Sequence, residues 1–270
     1  MKPCVTVSLV GEARGGPFIF WDDLAGACAS AQELGFAAIE LFPPSAAAVD
    51  QPLLRELLAK HQLRLASLGT GAGWVKHKLT LTSNHPETRN RALDFIKRMM
   101  DVAANFEAAV IVGSMQGRFD QEVSRSAALN HLGAALTSLA DYAKEKKVVL
   151  LYEHLNRYET NLLNRIEEVV PFLAPFNGRV KILADLFHMG IEEANVAEAL
   201  RLGGSLIGHV HLADSNRRPA GLGHTDFSPI FKALREISYE GFVSAEALPY
   251  PDSFTAARLT IEAFRKHAAP

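Results

Sequence analysis

Four side chains of metal-binding type stand at the ends of short apolar segments in the second half of the chain. Burying an acid after an apolar strand is costly unless a cation or a hydrogen-bond partner awaits it. Three carboxylates and one imidazole suit a divalent ion of the Mn, Mg, Co or Zn kind. We therefore expect them to converge on one divalent ion, although each acid alone could instead pair with a buried Lys or Arg. The four are Glu153 after the run 148–152, Asp185 after 180–184, His211 after 207–210 and Glu246 after 241–245.

The segments that carry these residues belong to an alternation that runs along the whole chain. Eight short apolar strands alternate strictly with eight amphipathic helices, a pattern that predicts parallel βαβ units. Because no linker divides the 270 residues and one barrel takes about 250 residues, we expect a single-domain (β/α)8 TIM barrel over 1–270. The predicted strands are 4–10, 37–42, 63–68, 108–112 and the four segments above; the predicted helices begin at Trp21, 52 and 86, lie within 121–147, and cover 164–175, 195–202, 228–238 and 253–267.

The predicted barrel brings the four side chains to one rim. They are separated by 32, 26 and 35 residues, about one βα unit each, and the chemistry of such barrels lies at the C-terminal ends of the strands. His209 and His211 share a strand face, so the spacing leaves open which one binds metal and which one packs or contacts a second acid. Glu40, at the end of the second strand, could line the same cavity, cap a helix or form a salt bridge.

Two glycine-rich segments flank the predicted rim. The segment 69–74 is expected to be a flexible loop, with Trp74 covering the site. It lacks the Lys-Ser/Thr pair of a phosphate loop, which argues against nucleotide binding. In the segment 221–227, Asp226 is expected to cap the following helix.

Bulk properties exclude several classes of partner. A net charge of −2 gives no electrostatic reason to bind nucleic acid or an anionic membrane. No segment approaches the roughly 18 apolar residues of a membrane span, and the start lacks a signal-peptide pattern. Cys4 and Cys28 have no metal or redox spacing, so we expect a reduced, cytoplasmic setting. A homo-oligomer is left open.

At its strand ends the chain resembles the xylose-isomerase-like TIM-barrel superfamily, and most closely its D-tagatose 3-epimerase-like ketose epimerases. The specific motifs lie in the second half, whereas strands one to three offer no residues that match the sugar contacts of that family. The matching pieces are Tyr-Glu-His-Leu-Asn-Arg-Tyr-Glu at 152–159, Asp-Leu-Phe-His-Met at 185–189, Gly-His-Val-His at 208–211, Asn-Arg-Arg at 216–218 and Ala-Glu at 245–246.

The resemblance implies a role for each matched residue. It makes His211, rather than His209, the imidazole ligand of one divalent ion, with Mn²⁺ expected first and Mg²⁺, Co²⁺ or Zn²⁺ as alternatives. Glu153 and Glu246 would also be the acid/base pair. The implied metal ligands are Glu153, Asp185, His211 and Glu246, and the implied contacts to the ketose near its carbonyl are Glu159, His188 and Arg217.

These residue types fit proton transfer beside a ketone. A divalent ion stabilises the developing enediolate, while one carboxylate removes the proton and another returns one to the opposite face. The sequence therefore predicts a metal-dependent isomerase or epimerase of a small, unphosphorylated ketose or keto-polyol. The alternatives are a hydroxypyruvate-type or aldose–ketose isomerase, a keto-inositol dehydratase, a DNA-repair endonuclease, against which the near-neutral charge argues, and a non-catalytic sugar-binding barrel.

Overall fold

The computed structural model describes residues 1–269, which form a closed barrel of parallel strands. Each barrel strand pairs in parallel with the next along the chain, and the last strand pairs with the first, Lys2 lying opposite Phe242. The strands are β1 Lys2–Ser8, β2 Phe20–Trp21, β3 Ala38–Phe42, β4 Arg64–Gly69, β5 Ala109–Val112, β6 Leu150–Glu153, β7 Val180–Asp185, β8 Ile207–Leu212 and β9 Phe242–Ala245. All except β2 belong to the eight-stranded barrel, so the predicted (β/α)8 fold is confirmed.

Ten α-helices occur among residues 1–269. Eight of them follow the barrel strands and form the outer layer, whereas α3 and α7 are short helices at the C-terminal ends of β4 and β7. The helices are α1 Leu24–Leu34, α2 Gln51–Lys60, α3 Ala72–His77, α4 Pro86–Ala104, α5 Arg125–Lys146, α6 Ile166–Leu173, α7 Leu186–Glu192, α8 Val196–Gly203, α9 Phe227–Glu236 and α10 Ser253–Ala268.

The two faces of the barrel strands have different surroundings. The main hydrophobic core joins one face of the strands to the outer helices. Small separate clusters, such as Ile111 with Leu151 and Leu183, occupy the other face. Since side chains two apart on a strand share a face, Glu153 follows Leu151, and Asp185 follows Leu183, on the interior side of the barrel. The alternation of the strands therefore points both acids inward.

The structure corrects the predicted start of the chain. The first strand, predicted to be 4–10, ends at Ser8, whose hydroxyl accepts a hydrogen bond from the Val10 amide. The predicted helix at Trp21 begins at Leu24, because Asp23 caps it by accepting from the backbone of Gly26. Trp21 instead lies in β2, which pairs with the end of β1 beyond its contact with β9.

The prediction of a flexible loop over 69–74 was also wrong. Gly69 completes β4, and α3 begins at Ala72. A side chain at Gly69 would collide with the Phe42 ring, so close packing rather than flexibility accounts for this glycine. The Asp226 cap of α9 is confirmed by its bond from the Ser228 amide. No helix in the described part of the chain has both the length and the apolar character needed to cross a membrane.

Candidate metal centre

The four predicted metal ligands converge at the C-terminal end of the barrel. They are Glu153, Asp185, His211 and Glu246. One ligand atom from each residue lies within 4.8 Å of the others, and all four side chains are buried. His211 Nδ1 lies at the middle of the group, 3.3 Å from Glu246 Oε2, 3.5 Å from Asp185 Oδ2 and 3.7 Å from Glu153 Oε1. The structure thus brings together all four residues that the sequence predicted as ligands.

Glu40 fixes the orientation of the His211 ring. Its carboxylate oxygens accept from Nε2 of His209 at 2.6 Å and from Nε2 of His211 at 2.8 Å. In a neutral His211 ring whose Nε2 proton is donated to Glu40, the Nδ1 lone pair faces the three carboxylates and is available to a cation. This settles where the two neighbouring histidines point: His211 enters the four-residue cluster, and His209 contacts the second acid. Within residues 1–269, Glu40 caps no helix and pairs with no Arg or Lys.

Asp185 divides its two oxygens between the fold and the cluster. Oδ1 accepts from the backbone amides of Phe187 at 2.7 Å and His188 at 3.1 Å, and thereby caps α7. Oδ2 is buried, faces His211 Nδ1 and has no hydrogen-bond partner among the described residues. The cap explains why a short helix begins directly after β7 and why Oδ2 is directed toward the barrel axis.

The donor set fits a divalent cation. Asp185 Oδ2 and His211 Nδ1 are buried without hydrogen bonds within residues 1–269, and buried polar atoms are rarely left unpaired. Ligands bound at about 2.1 Å around a tetrahedral ion lie about 3.4 Å apart. The spacing of 3.3 to 3.7 Å around His211 Nδ1 is close to this value. A methyl group at Gly113 would collide with Glu153 Oε2, so the glycine leaves room for that carboxylate.

The charges of the cluster shift the pKa values of its members in opposite directions. Burial raises the pKa of Glu153 well above its usual range, and the negative charges of Glu246 and Asp185 raise it further. For Asp185, burial is outweighed by His188, His211 and Arg217, which lower the pKa of this carboxyl. Of these two carboxyls, Glu153 therefore holds a proton more readily when no cation is bound.

An inner cavity of about 290 Å³ opens above the cluster. Glu153 and Glu246 line it, whereas Asp185 and His211 lie beneath its surface. The three residues predicted to bind substrate, Glu159, His188 and Arg217, line the same cavity. Further lining residues come from the first half of the chain, where sequence motifs gave no match, and include Val10, Phe18, Phe42, Ala72 and Val75.

Arg217 connects the cluster to the cavity wall. Its guanidinium donates to Glu159 Oε1 at 3.1 Å and to Glu246 Oε2 at 3.2 Å. It also packs over the Phe187 ring, 4.7 Å from the centroid. Although burial opposes it, the charges of Glu246, Asp185 and Glu159 raise the pKa of Arg217. Arg217 is therefore a fixed cation at the edge of the carboxylate cluster.

Asn156 determines which nitrogen of His188 carries the proton. Its Oδ1 accepts from the Tyr158 amide at 2.9 Å, so its NH2 group faces His188 Nδ1 at 2.6 Å and donates to it. The proton of a neutral His188 ring then lies on Nε2. This atom is buried without a partner in the described chain, 3.6 Å from Asp185 Oδ2. Sequence reasoning assigned no role to Asn156, although it lies in the 152–159 motif.

Comparisons with known proteins agree with this fold and site. A family model described as Xylose isomerase-like TIM barrel matches residues 28–267. The chain is 32% identical over 244 residues to the L-ribulose 3-epimerase of Methylomonas sp. strain DH-1, covering 86% of this chain and 83% of that protein. It is 35% identical over 183 residues to the D-psicose 3-epimerase of Enterocloster bolteae, covering 64% of this chain and 59% of that protein.

A solved structure extends the similarity to nearly the whole chain. The D-allulose 3-epimerase from Methylomonas sp. in complex with D-allulose superimposes with a TM-score of 0.83 and 26% sequence identity, covering 99% of this chain and 98% of that one. The chain therefore belongs to the xylose isomerase-like TIM-barrel family. The resemblance inferred from the strand-end motifs is confirmed.

Proposed function

We propose that this protein is a divalent-metal-dependent epimerase that inverts the carbon next to the carbonyl of a ketose or keto-polyol. One observation carries the proposal: Glu153 and Glu246 belong both to the four-residue donor cluster and to the wall of the inner cavity. Two carboxylates beside one bound substrate meet the requirement for removing a proton and returning one to the other face. The similarity to ketose 3-epimerases supports the same conclusion.

The ion, which we propose to be Mn²⁺, would be held by Glu153, Asp185, His211 and Glu246. When bound, the ion supplies Lewis-acid stabilisation of negative charge that develops on the substrate oxygens. His188 donates from Nε2, and Arg217 from its guanidinium, to oxygens near the substrate carbonyl. Glu159 holds Arg217 in place through their bond at 3.1 Å.

The carboxylates of Glu153 and Glu246 carry out the proton transfers. One of Glu153 and Glu246 removes the proton from the carbon beside the carbonyl, and the other delivers a proton from the opposite side. Both residues are nearly buried, Glu153 with 7% and Glu246 with 5% of its surface exposed, which limits their contact with bulk water.

The charge of the inner cavity supports an unphosphorylated reacting sugar. Of the described residues that line it, Arg217 alone is an Arg or Lys, and it is already bound to Glu159 and Glu246. Arg218 instead stacks on Tyr250, 4.1 Å from the ring centroid. A phosphate needs several donors at one place.

We therefore expect D-fructose, D-tagatose and D-allulose to have higher kcat/KM values than their phosphate esters. A preference for an ester that Arg218→Ala abolishes would contradict this expectation.

The cellular compartment and the oligomeric state of the protein are also proposals. Both cysteines are unpaired and buried, which fits a reducing, cytoplasmic compartment. Homo-oligomer formation stays a prediction, which light scattering during size-exclusion chromatography checks.

The test of function is an NMR experiment in deuterated water. The Mn²⁺-loaded protein is incubated with D-fructose, D-tagatose, D-allulose and L-ribulose, and Glu246→Gln is the control. We expect the C3 epimer with deuterium at C3. An aldose product would favour an aldose–ketose isomerase, loss of water a dehydratase, and sugar binding without turnover a non-catalytic barrel.

A further inference from the structure

A second, larger cavity, here called the outer cavity, adjoins the inner one. The outer cavity has a volume of about 580 Å³ and shares Val75, Ser114 and Glu159 with the inner one. It contains neither Glu153 nor Glu246, so it lies away from the reacting groups. Small-molecule sites usually measure about 300 to 1,000 Å³, and the inner cavity of about 290 Å³ is at the bottom of that range. A substrate that filled both cavities would therefore be larger than a single ketose.

The lining of the outer cavity suits a polyhydroxyl group. Two aromatic side chains, Trp74 and Tyr158, are partly open, with 38% and 76% of each residue exposed. The Lys78 ammonium lies over one face of the Trp74 ring, 4.8 Å from the centroid, so a sugar would pack against the other face. Aromatic rings of this kind pack against the C–H faces of sugar rings and bury apolar area there. Hydroxyl and amide groups that can hydrogen-bond to sugar hydroxyls surround them, from Thr80, Thr82, Ser83, Asn84 and Ser114.

The charges of the outer cavity favour a neutral occupant. Arg118 is the one Arg or Lys among the described residues that line it, against the carboxylates of Asp120 and Glu122. Glu159 also lines it, but its carboxylate is paired with Arg217. Asp120 already accepts from the backbone amides of Glu122 and Val123 at 2.8 and 3.0 Å. The outer cavity therefore lacks the cluster of cations that a phosphate or carboxylate group needs, whereas an uncharged sugar needs none.

We propose that the substrate carries a second, neutral glycosyl unit: the keto-sugar unit binds in the inner cavity at the carboxylate cluster, and the glycosyl unit binds in the outer cavity between Trp74 and Tyr158. This inference rests on the proposed function, because the inner cavity must hold the reacting unit. The glycosyl unit lies away from the reacting carbon, so its contacts are made equally in the bound substrate and in the transition state. They therefore lower KM more than they raise kcat.

The experiment compares ketose disaccharides with the free ketose. Maltulose, leucrose and isomaltulose carry a glucosyl group on O4, O5 and O6 of fructose and leave C3 free to react. Each is incubated with the Mn²⁺-loaded wild type, beside D-fructose. We expect at least one disaccharide to exceed D-fructose at least tenfold in kcat/KM, mainly through a lower KM. If none of the three exceeds D-fructose by at least tenfold, the inference is overturned and the proposed function still stands.

Substitutions of residues that line the outer cavity test whether the preference for a disaccharide arises there. Trp74→Ala and Tyr158→Ala should each lower the ratio of kcat/KM for the preferred disaccharide to that for D-fructose at least fivefold. Tyr142→Ala is the matched control, since Tyr142 lies on α5 and lines neither cavity. An unchanged ratio in both outer-cavity variants would overturn the assignment. Inactivity of the wild type toward every sugar would instead refute the proposed function.

Discussion

Replacing Glu40 by Gln tests whether a residue outside the four-donor cluster controls metal binding. Glu40 is fully buried, and its two oxygens accept from the Nε2 atoms of His209 and His211 at 2.6 and 2.8 Å. Although burial opposes it, the two histidines lower the pKa of Glu40. The carboxylate is therefore charged, and each of its two oxygens can accept a hydrogen bond from one histidine.

A glutamine at this position can satisfy only one of the two rings. Its oxygen accepts from one Nε2, and its NH2 group faces the other Nε2–H as a second donor. An unpaired buried donor costs about 1–3 kcal/mol. If the His211 ring avoids the clash by moving its proton to Nδ1, it loses the lone pair that faces the carboxylates. Loss of such a supporting contact typically lowers metal affinity about 10- to 100-fold, and we expect this range for Glu40→Gln.

Calorimetric titration with Mn²⁺ at pH 7.5 measures the effect, and circular dichroism checks that the variant is folded. Glu56→Gln is the matched control, because Glu56 is an exposed residue on α2. A folded Glu40→Gln variant whose Kd for Mn²⁺ lies within twofold of the wild-type value would refute the reasoning. The Glu40 contacts would then stabilise the barrel interior without orienting His211 toward a metal.

Three further predictions follow from the geometry. Asp185→Asn should lower Mn²⁺ affinity at least 100-fold in a titration while the fold persists, because the amide still caps α7 through its oxygen; unchanged affinity would contradict the ligand assignment. Glu153→Gln and Glu246→Gln should each lower kcat at least 10³-fold yet retain sugar binding by calorimetry, and near-normal turnover in either would exclude it as acid or base. Burial lowers the pKa of His154 to about 4, so the contribution of this residue to stability should fall by about 3 kcal/mol as pH falls from about 6.5 to 4 and stay constant above that window. Urea titrations of the wild type and of His154→Leu should show this as a change of that size in the difference between their free energies of unfolding; a difference that does not change with pH would contradict it.

Much of the barrel and of its rim could be predicted from local patterns. Alternating apolar strands and amphipathic helices indicate βαβ units, and Glu153 and Asp185 stand out as acids that end apolar runs. These signals depend only on neighbouring residues. The order of the barrel then places strand ends from distant parts of the chain on one rim.

The parts that could not be predicted depend on contacts between distant segments. Glu40 bonds to histidines 169 and 171 residues away, and nothing near it distinguishes this role from a salt bridge. The short helix α7 exists because Asp185 accepts two backbone amides, although the same residue also looked like the end of a strand. The outer cavity combines side chains from three strand-to-helix connections, among them Trp74 and Tyr158, which no local motif joins.

Anomalous diffraction at the manganese edge from Mn²⁺-soaked crystals tests the central claim most directly. We expect one strong peak within about 2.0–2.4 Å of His211 Nδ1 and of carboxylate oxygens from Glu153, Asp185 and Glu246. Glu40 and His209 would keep their mutual hydrogen bond outside that sphere. A peak bound by Glu40 and His209 instead, or no peak within the barrel, would contradict the assignment of this cluster as the metal centre.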